Sequence, residues 1–327
     1  MGDFKRKLLN GLPLHFDSGR AFTEGRGSSG RVLVTPTLPF TLAAMRPQSV
    51  ISDGFSSWTI SSILMGFETT IFWEGTRHTE RNIKPWKHNI RRWLASKAKS
   101  FVVNGEFAKE YLVRELDVEE RKVWLGGMCP MLPPKGTELS VSEPAERVKF
   151  LFCGQLNKRK GAEHLIKAAA LLKGFSGLER SFEVNIIGEG EDSQALQTLV
   201  DSLEISDQVK LLGFVNPADI WNRYRENHVF VLPTLHDNWP LVIPEAMSMG
   251  MPVLLSQYAG SYPDLIVEGE NGYVFDPNDE EKLAHLMSLY VNNVSRVTKH
   301  GQKSLDVVKP YNFENAAHVA LEALGAV

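Results

Sequence analysis

The 327-residue sequence has only two cysteines, Cys129 and Cys153, and no apolar run near the roughly 18 residues needed to span a bilayer. Two cysteines cannot make a disulfide framework, so we interpret both as packing residues in a reducing compartment. The apolar stretch near the N-terminus is too short for a signal peptide. A strong excess of one charge is also missing, since 36 Lys and Arg against 39 Asp and Glu leave −3. These absences exclude a disulfide scaffold and a generic nucleic-acid binder, and they predict a cytoplasmic protein.

Charge divides unevenly along the chain. Residues 1–148 hold 21 Lys and Arg against 16 Asp and Glu, whereas residues 149–327 hold 15 against 23. The segment 126–147 is rich in Gly, Pro, Ser and Glu and has no helical or strand periodicity, which is typical of a boundary. We therefore expect one domain over 1–140 and a second over 141–327, with the last helix crossing back to the first domain.

Short apolar runs alternate with amphipathic stretches in the second half. The pattern predicts strands at 148–154, 182–188, 209–214, 228–234 and 252–256, and helices at 162–175, 193–205, 217–227, 243–250 and 280–293. The first half repeats the pattern more weakly, with strands at 32–36, 49–55, 69–75 and 100–105 and helices at 85–99 and 106–116. Strand–helix alternation predicts an α/β protein of two Rossmann-like domains, with ligands at the carboxyl ends of the strands and in the cleft between the domains.

The glycine-rich segment EGRGSSG at 24–30 is in an unusual place. A Rossmann-like domain opens with a strand, then a glycine-rich turn and a helix, but here the glycines precede a strand. We therefore expect a short N-terminal domain that lacks its first βα unit.

Two acidic residues eight positions apart, Asp237 and Glu245, form the first candidate site. Asp237 lies in the loop after a predicted strand, and Glu245 follows Pro244 at the start of the next predicted helix. An acidic residue there is also explained by its favourable interaction with the helix dipole. The functional interpretation is that backbone N–H groups at the helix start bind phosphates while a carboxylate accepts two vicinal hydroxyls. Together these features are typical of a site for a nucleotide diphosphate.

The segment LFCGQLNKRKG at 151–161 is the second candidate. Gly154 closes a predicted strand, and a basic cluster of Lys158, Arg159 and Lys160 precedes Gly161 and the next helix. Such a cluster is either a solvated loop or a site where one ammonium reaches the diphosphate. Lys160 is the candidate, because its neighbour Gly161 permits close approach of the backbone.

Five segments in order resemble one family. They are FLFCGQLNKRKG, NIIGEGED, VKLLGFV, LPTLHDNWPLVIPEAMSMGMPVL and PDLIVEGENGYVFDPND, and they span about 130 residues. This half of the chain resembles the carboxyl-terminal half of the retaining glycosyltransferases of family 4, which have the GT-B fold and belong to glycosyl transferases group 1. The resemblance implies transfer of a sugar from a nucleotide-diphosphate-sugar donor to a glycan or lipid-linked acceptor. It implies no further cofactor and no metal held by the protein.

The resemblance also implies site roles. The family's E-x7-E pair falls on Asp237, which would contact the donor sugar, and Glu245, which would hold the ribose. The basic pair falls on Gln155 and Lys160. Backbone amides at Leu241 and Val242, with Gly154 at the end of the strand, complete the donor site.

Three departures from the family pattern stand out. Asp237 replaces a glutamate, Gln155 replaces an arginine, and Pro240 replaces a glycine and has no N–H. Arg159 is unusual at its position and is the candidate to replace the missing positive charge.

The basic half carries weaker signals. The loop within 71–82 holds Glu74 and His78, and the resemblance leaves open which of them contacts donor or acceptor; a solvated loop is the alternative. The basic helix at 85–99 either has a solvated face or meets an anionic lipid surface or a lipid-diphosphate acceptor, which would place the protein at the inner face of a membrane. Trp239 is either a wall against the sugar or a core residue.

Two other functions stay open. The short N-terminal domain favours a degenerate, non-catalytic nucleotide-sugar-binding protein. The same fold also supports an epimerase or a phosphorylase.

Overall fold

The computed structural model describes residues 20–21, 33–34, 38–134, 136–137, 139, 144 and 146–325. The chain divides into two compact units. Unit 1 comprises Met1–Cys129 together with Asn312–Val327, and unit 2 comprises Pro130–Tyr311. The glycine-rich segment 24–30 lies outside the described residues, so the expected loss of a first βα unit stays a prediction.

Unit 1 contains a parallel sheet of four strands within its described residues. In chain order its elements are β1 Arg20–Ala21 and β2 Leu33–Val34, an antiparallel pair, then α1 Leu38–Met45, β3 Ser49–Asp53, α2 Ser57–Leu64, β4 Glu68–Trp73, α3 Pro85–Lys97, β5 Ser100–Val103, α4 Glu106–Glu115 and β6 Val123–Leu125. Strands β3 to β6 are neighbours in the order of the chain. Because parallel crossovers are right-handed, helices α2, α3 and α4 all fall on one face of this sheet.

Side-chain alternation gives the unit 1 sheet two different faces. Ile71 and Phe101 point into an apolar core with Ala95 and Leu112 from α3 and α4. The residues adjacent to them along the strands point to the opposite face of the sheet. On that face Ser100 donates a hydrogen bond of 2.6 Å to the carbonyl of Ala323. That face is covered by the last helix.

The last helix, Phe313–Leu324, contacts β5 and β6 of unit 1. Asn312 caps its start by accepting the N–H of Asn315 at 2.9 Å, and Gly325 ends it with φ 68°. Lys99 donates to the carbonyl of Leu324 at 2.8 Å, which satisfies a carbonyl that has no partner within the helix. The chain thus returns to unit 1 after completing unit 2.

Unit 2 is a six-stranded parallel sheet with helices between its strands. Its elements are β7 Arg147–Cys153, α5 Ala162–Lys173, β8 Ser181–Ile187, α6 Ser193–Ser202, β9 Val209–Gly213, α7 Ile220–Glu226, β10 Val229–Leu232, α8 Val242–Ser248, β11 Val253–Ser256, α9 Tyr262–Leu265, β12 Gly272–Phe275, α10 Glu280–Val291 and α11 Ser295–Val308. The helix of unit 1 that follows is therefore α12. Strands β10 and β11 are buried at every position, as expected when helices cover both faces.

The strand order in unit 2 is β12-β11-β10-β7-β8-β9. Strand β7 is first in the chain and β10 is fourth, and they lie side by side, so the direction of winding reverses between them. This is the topological switch point, where open α/β sheets bind ligands beyond the carboxyl ends of the strands. Two parallel-sheet α/β domains confirm the predicted fold class.

Candidate functional site

The loop between β7 and α5 holds Lys160 beside the switch point. Asn157 Oδ1 accepts the N–H of Lys160 at 3.1 Å, which closes a single 3₁₀ turn over Lys158–Lys160. Gly161 follows with φ 72°, and a Cβ there would lie 2.0 Å from the carbonyl oxygen of Pro233. Only glycine fits this approach, so the loop after β7 packs directly on the loop after β10.

Lys160 and Asp237 meet across the switch point. The distance from Lys160 Nζ to Asp237 Oδ2 is 2.5 Å, and the two side chains are only 15% and 13% exposed. Arg159 Nη1 lies 3.4 Å from the same carboxylate oxygen and donates to the carbonyl of His236 at 2.9 Å. Arg159 is thus the second cation at this carboxylate, and its predicted role toward the phosphates stays a prediction.

Backbone bonds fix the position of Asp237. Its N–H donates to the carbonyl of Tyr258 at 3.3 Å, and its own carbonyl accepts from Gly260 at 2.9 Å. Tyr258 is in turn held by Asp276, to which its hydroxyl donates at 3.2 Å. The loop that carries the acidic residue is therefore braced by the loop after the neighbouring strand β11.

Glu245 lies in the first turn of α8 and is 9% exposed. The hydroxyl of Tyr224 donates to Glu245 Oε2 at 3.1 Å. Burial raises the pKa of Glu245 to about 7, against the opposing effects of the Tyr224 hydroxyl and the backbone N–H of Met131. A buried carboxyl with a pKa raised toward neutral pH is a recognised sign of a functional site.

The thiol of Cys153 interacts electrostatically with both Lys160 and Glu245. Cys153 ends β7, and burial together with the charge of Glu245 raises the pKa of its thiol to about 11, while Lys160 acts in the opposite direction. Lys160 follows β7 and Glu245 lies in the first turn of the helix after β10, and these two strands are parallel neighbours, so both residues lie at the carboxyl edge of the sheet. The structure brings together Lys160, Asp237 and Glu245.

The other predicted donor residues lie on the loop after β7 and at the start of α8. Gly154 is the close-approach point for the next loop, since a Cβ on Gly188 would lie 1.8 Å from its carbonyl oxygen. The exposed side chain of Gln155 accepts a hydrogen bond from Asn157 Nδ2 at 3.3 Å. Leu241 and Val242 begin α8, where the first N–H groups have no partner within a helix. Their roles toward a ligand stay predictions.

Unit 1 presents polar groups at the carboxyl ends of its strands. Asn104 Nδ2, after β5, donates to Glu74 Oε1, after β4, at 3.3 Å. Asn104 is 3% exposed, and its Oδ1 has no hydrogen-bond partner among the described residues. His78 lies four residues beyond Glu74, with its ring Nε2 2.7 Å from Arg81 Nη1. His78 and the alternative candidate Glu74 thus belong to unit 1, whereas the predicted donor-site residues belong to unit 2.

Helix α3 buries Leu94 and Ala95 but exposes three larger apolar residues. Trp86, Ile90 and Trp93 are 56%, 42% and 45% exposed and lie on one face, four and three positions apart. In the described part of the chain, Lys87 and Lys97 of this helix form no ion pair. The predicted basic helix therefore also carries an exposed aromatic stripe.

Two residues near the site are not assigned from the sequence: Trp239 has two possible roles, and Tyr224 is not singled out. Trp239 is 6% exposed and its ring lies 5.8 Å from that of Tyr311, so it is a core residue. Tyr224 carried no sequence signal, because its partner Glu245 is 21 positions away and meets it only when the two helices pack on the sheet.

The described residues include no group of three His, Cys, Asp or Glu side chains placed to hold a metal ion. None of their helices is long and apolar enough to cross a membrane.

Two parallel-sheet α/β domains with a polar group at the switch point of the second define a GT-B architecture, and comparisons with known proteins agree. The family model of glycosyl transferases group 1 matches residues 139–307, more than half of the chain. The chain belongs to the glycosyl transferases group 1 family.

Relatives in sequence match mainly the second unit. An uncharacterised glycosyltransferase of Haemophilus influenzae is 26% identical over 169 residues, which are 52% of this chain and 46% of that protein. The amylovoran biosynthesis glycosyltransferase AmsK of Erwinia amylovora is 31% identical over 146 residues, 43% of this chain and 35% of AmsK. The chain thus spans less than half the length of these relatives. Both relatives are named as glycosyltransferases.

Solved structures match over most of the chain. The lipopolysaccharide outer core galactosyltransferase WaaB superposes with a TM-score of 0.70 at 19% identity, covering 89% of this chain and 78% of WaaB. Anabaena HepE in complex with UDP superposes with a TM-score of 0.72 at 15% identity, covering 90% and 83%. At these identities the likeness establishes the fold.

Proposed function

We propose that the chain is a retaining glycosyltransferase of family 4 that transfers a sugar from a nucleotide-diphosphate-sugar donor to a glycan or lipid-linked acceptor. The observation that carries the proposal is the meeting of Lys160 and Asp237 across the switch point, with Glu245 at the same edge. The UDP bound to HepE, which has this fold, supports a nucleotide diphosphate as the ligand class.

The donor site uses charge of both signs. The ammonium of Lys160 and the guanidinium of Arg159 bind the diphosphate, joined by the amides of Leu241 and Val242. Glu245 accepts the two ribose hydroxyls, as an ionised carboxylate can. Asp237 orients the donor sugar. Since both cations lie on one Asp237 oxygen, the carboxylate also holds them at the place where the diphosphate binds.

The reaction breaks the bond between the anomeric carbon and the diphosphate oxygen, which keeps the electron pair. Lys160 and Arg159 stabilise the negative charge that develops on this leaving group. The acceptor hydroxyl attacks the anomeric carbon on the same face, and its proton passes to the departing phosphate oxygen. Configuration at the anomeric carbon is thereby retained.

Unit 1 is proposed to serve the acceptor. The half-buried carboxylate of Glu74, which accepts a hydrogen bond from the buried Asn104, is the group that a substrate hydroxyl would contact. His78 lies on the loop that follows and is the candidate for a contact with donor or acceptor. This polar edge favours a hydroxyl-rich glycan end.

Assays of the whole chain with a panel of sugar nucleotides and glycan or lipid-linked acceptors test the proposal. We expect release of nucleoside diphosphate together with a glycosidic product of retained configuration. Lys160→Ala should lower kcat/KM by about 10²–10³, the usual loss for one group that stabilises developing charge. The matched control is Lys158→Ala in the same turn, where the side chain is exposed and activity should be unchanged.

The alternative functions give different results in the same assays. Nucleotide binding without turnover would support a non-catalytic binding protein. Isomerisation of the donor would support an epimerase, and formation of a sugar phosphate from inorganic phosphate would support a phosphorylase. Each of these outcomes, or full activity of the Lys160→Ala variant, would contradict the proposal.

We further propose that α3 holds unit 1 against the anionic inner face of a membrane. Tryptophan is favoured at the boundary between lipid and water, and each lysine near an anionic surface contributes about 1 kcal/mol. Trp86 and Trp93 with Lys87 and Lys97 combine both properties on one helix. This position would suit a lipid-linked acceptor.

Vesicle sedimentation tests this contact. The chain should bind phosphatidylglycerol-containing vesicles and not pure phosphatidylcholine, and the Trp86→Ala/Trp93→Ala variant should lose most of the binding. Phe214→Ala is the control, because Phe214 is a 68% exposed aromatic residue of unit 2. Equal binding by all three proteins would overturn the contact.

A further inference from the structure

Tyr224 is a buried polar residue that the donor-site roles above do not include. It lies in α7 with no exposed surface, and its ring packs 6.0 Å from Phe230 and 5.7 Å from Trp221. This packing fixes the direction of the phenol, so its hydroxyl meets Glu245 Oε2 at 3.1 Å in one geometry only.

The number of hydrogen bonds at Glu245 bears on its ligand. An ionised carboxylate offers about four acceptor positions. Tyr224 takes one, and the backbone N–H of Met131 is a second donor toward the same group. About two positions then remain, which is the number that a vicinal diol needs.

We propose that Tyr224 is a positioning residue, whose hydroxyl fixes the Glu245 carboxylate in the orientation that accepts the ribose diol and thereby sets the pH range of nucleotide binding. This inference rests on the proposed function, since it assigns the ribose to Glu245.

Electrostatics make the effect measurable. Glu245 titrates with a pKa of about 7, because burial opposes its charge more than the Tyr224 and Met131 hydrogen bonds favour it. Among the described residues, the titratable groups that interact with it are Tyr224 from α7 and Cys153 from β7. Burial raises the pKa of the Tyr224 phenol, and the Cys153 pKa is about 11, so both stay protonated at neutral pH. Nucleotide affinity should therefore fall as pH drops through about 7, as Glu245 is protonated.

The test is Tyr224→Phe, with UDP and GDP as probes in calorimetric titrations of the whole chain from about pH 6 to about pH 9. Loss of the hydroxyl removes a donor to the charged form, so the midpoint should rise by about one pH unit. The Kd should then increase about fivefold at pH 7 and stay unchanged near pH 9. The control is Tyr290→Phe, which removes another fully buried hydroxyl, bonded to His300 Nδ1 at 3.0 Å, and should leave both values as they are.

A second substitution covers the case in which the phenylalanine variant does not fold. 3-Fluorotyrosine at position 224 keeps the ring and strengthens the donor, so the midpoint should move downward instead. An unchanged midpoint in either variant, or a loss of affinity that is equal at every pH, would overturn the inference, because a purely structural role changes affinity uniformly.

Failure of the proposed function gives a different result. In that case the wild-type chain binds neither UDP nor GDP at any pH, or the Glu245→Gln variant keeps the wild-type affinity and pH profile. Failure of the inference alone leaves wild-type binding dependent on Glu245 and on pH but insensitive to Tyr224.

Discussion

Two buried glutamates of unit 2 show opposite electrostatics at the residue scale. Glu245 has one side-chain donor and a pKa raised to about 7. Glu183 is equally buried, but although burial opposes its charge, hydrogen bonds from Lys210, Asn185 and Arg147 bring its pKa down to about 2. One carboxyl therefore resists ionisation in the folded protein and the other favours it.

Replacing Glu245 by Gln should stabilise the fold at high pH while it abolishes nucleotide binding. The folded-state pKa of about 7 exceeds the ordinary 4.5, so stability present below pH 4.5 is lost as pH rises toward 7. Glutamine has no charge to bury and keeps an acceptor for Tyr224. We expect a gain of about 2 kcal/mol, or about 4 °C in Tm, at pH 8 and almost none near pH 4.5. Thermal unfolding at the two pH values measures this, and an equal Tm for both proteins at pH 8 would contradict it.

Replacing Glu183 by Gln should have the opposite sign. Its folded-state pKa of about 2 lies below 4.5, so its stabilisation is present above pH 4.5 and is lost as pH falls toward 2. Because Arg147 and Lys210 are half exposed, we expect a loss of only about 1–2 kcal/mol at pH 7. Denaturant unfolding at pH 7 and pH 3 checks it, since the difference between variant and wild type should shrink at the lower value.

The residues of the proposed donor site can be predicted from the sequence better than their partners. Lys160, Asp237 and Glu245 each lie beside a turn or helix start that can be recognised locally, and the structure brings them together. Tyr224 and the Asn104–Glu74 pair depend on side-chain packing between distant segments, which one sequence does not encode in any local pattern.

At the scale of elements, the turn from β7 into α5 determines where Lys160 lies. Gly161 has φ 72° and touches the carbonyl of Pro233, so the turn joins two loops at the switch point. Gly177 has a similar φ of 75°, but a Cβ added there would have no other atom within 4 Å. The two glycines separate the effect of backbone strain from the effect of close packing.

Gly161→Ala should displace Lys160 and destabilise unit 2. The added Cβ would lie 2.0 Å from a backbone oxygen, which must move, so we expect a loss of more than about 2 kcal/mol and at least about tenfold weaker nucleotide binding. Gly177→Ala should cost only about 1 kcal/mol, the strain of positive φ, with unchanged affinity. Unfolding and nucleotide titrations of both variants distinguish these effects, and similar losses in the two would refute the role of the close approach.

Short apolar runs that alternate with amphipathic stretches predict most strands and many helices. The strands are recognised because buried parallel strands have almost continuously apolar sequences. The helices predicted from the sequence do not include Ser295–Val308, which contains Gly301. The structure explains this glycine, because a Cβ there would lie 2.0 Å from the carbonyl oxygen of Gly250, where α11 packs on α8. Glycine at position 301 is therefore required by a contact between two helices, and it does not interrupt the helix.

For the whole molecule, the return of the chain to unit 1 is the main feature. Helix α12 covers one face of the unit 1 sheet, and its terminal carbonyls are bound by Lys99 and Ser100. Unit 1 is therefore assembled from two distant parts of the chain, whereas unit 2 is continuous from Pro130 to Tyr311.

Truncation after Tyr311 should unfold unit 1 and leave unit 2 able to bind nucleotide. Removing α12 exposes an apolar and hydroxyl-bearing sheet face, and it leaves Ser100 and Thr70 without the Ala323 carbonyl. We expect calorimetry to show loss of one transition, with nucleotide affinity within about twofold of the full chain. Loss of both transitions would show that unit 2 depends on unit 1 for its stability.

The switch point separates the framework of unit 2 from its chemistry. Strands β7 and β10 are hydrogen-bonded neighbours with buried side chains, while Lys160 and Asp237 stand on the loops that follow them. Exchange of these loops among proteins of this architecture should therefore alter the proposed donor specificity without repacking the sheet. For protein engineering, residues 154–161 and 233–241 are the natural segments to graft.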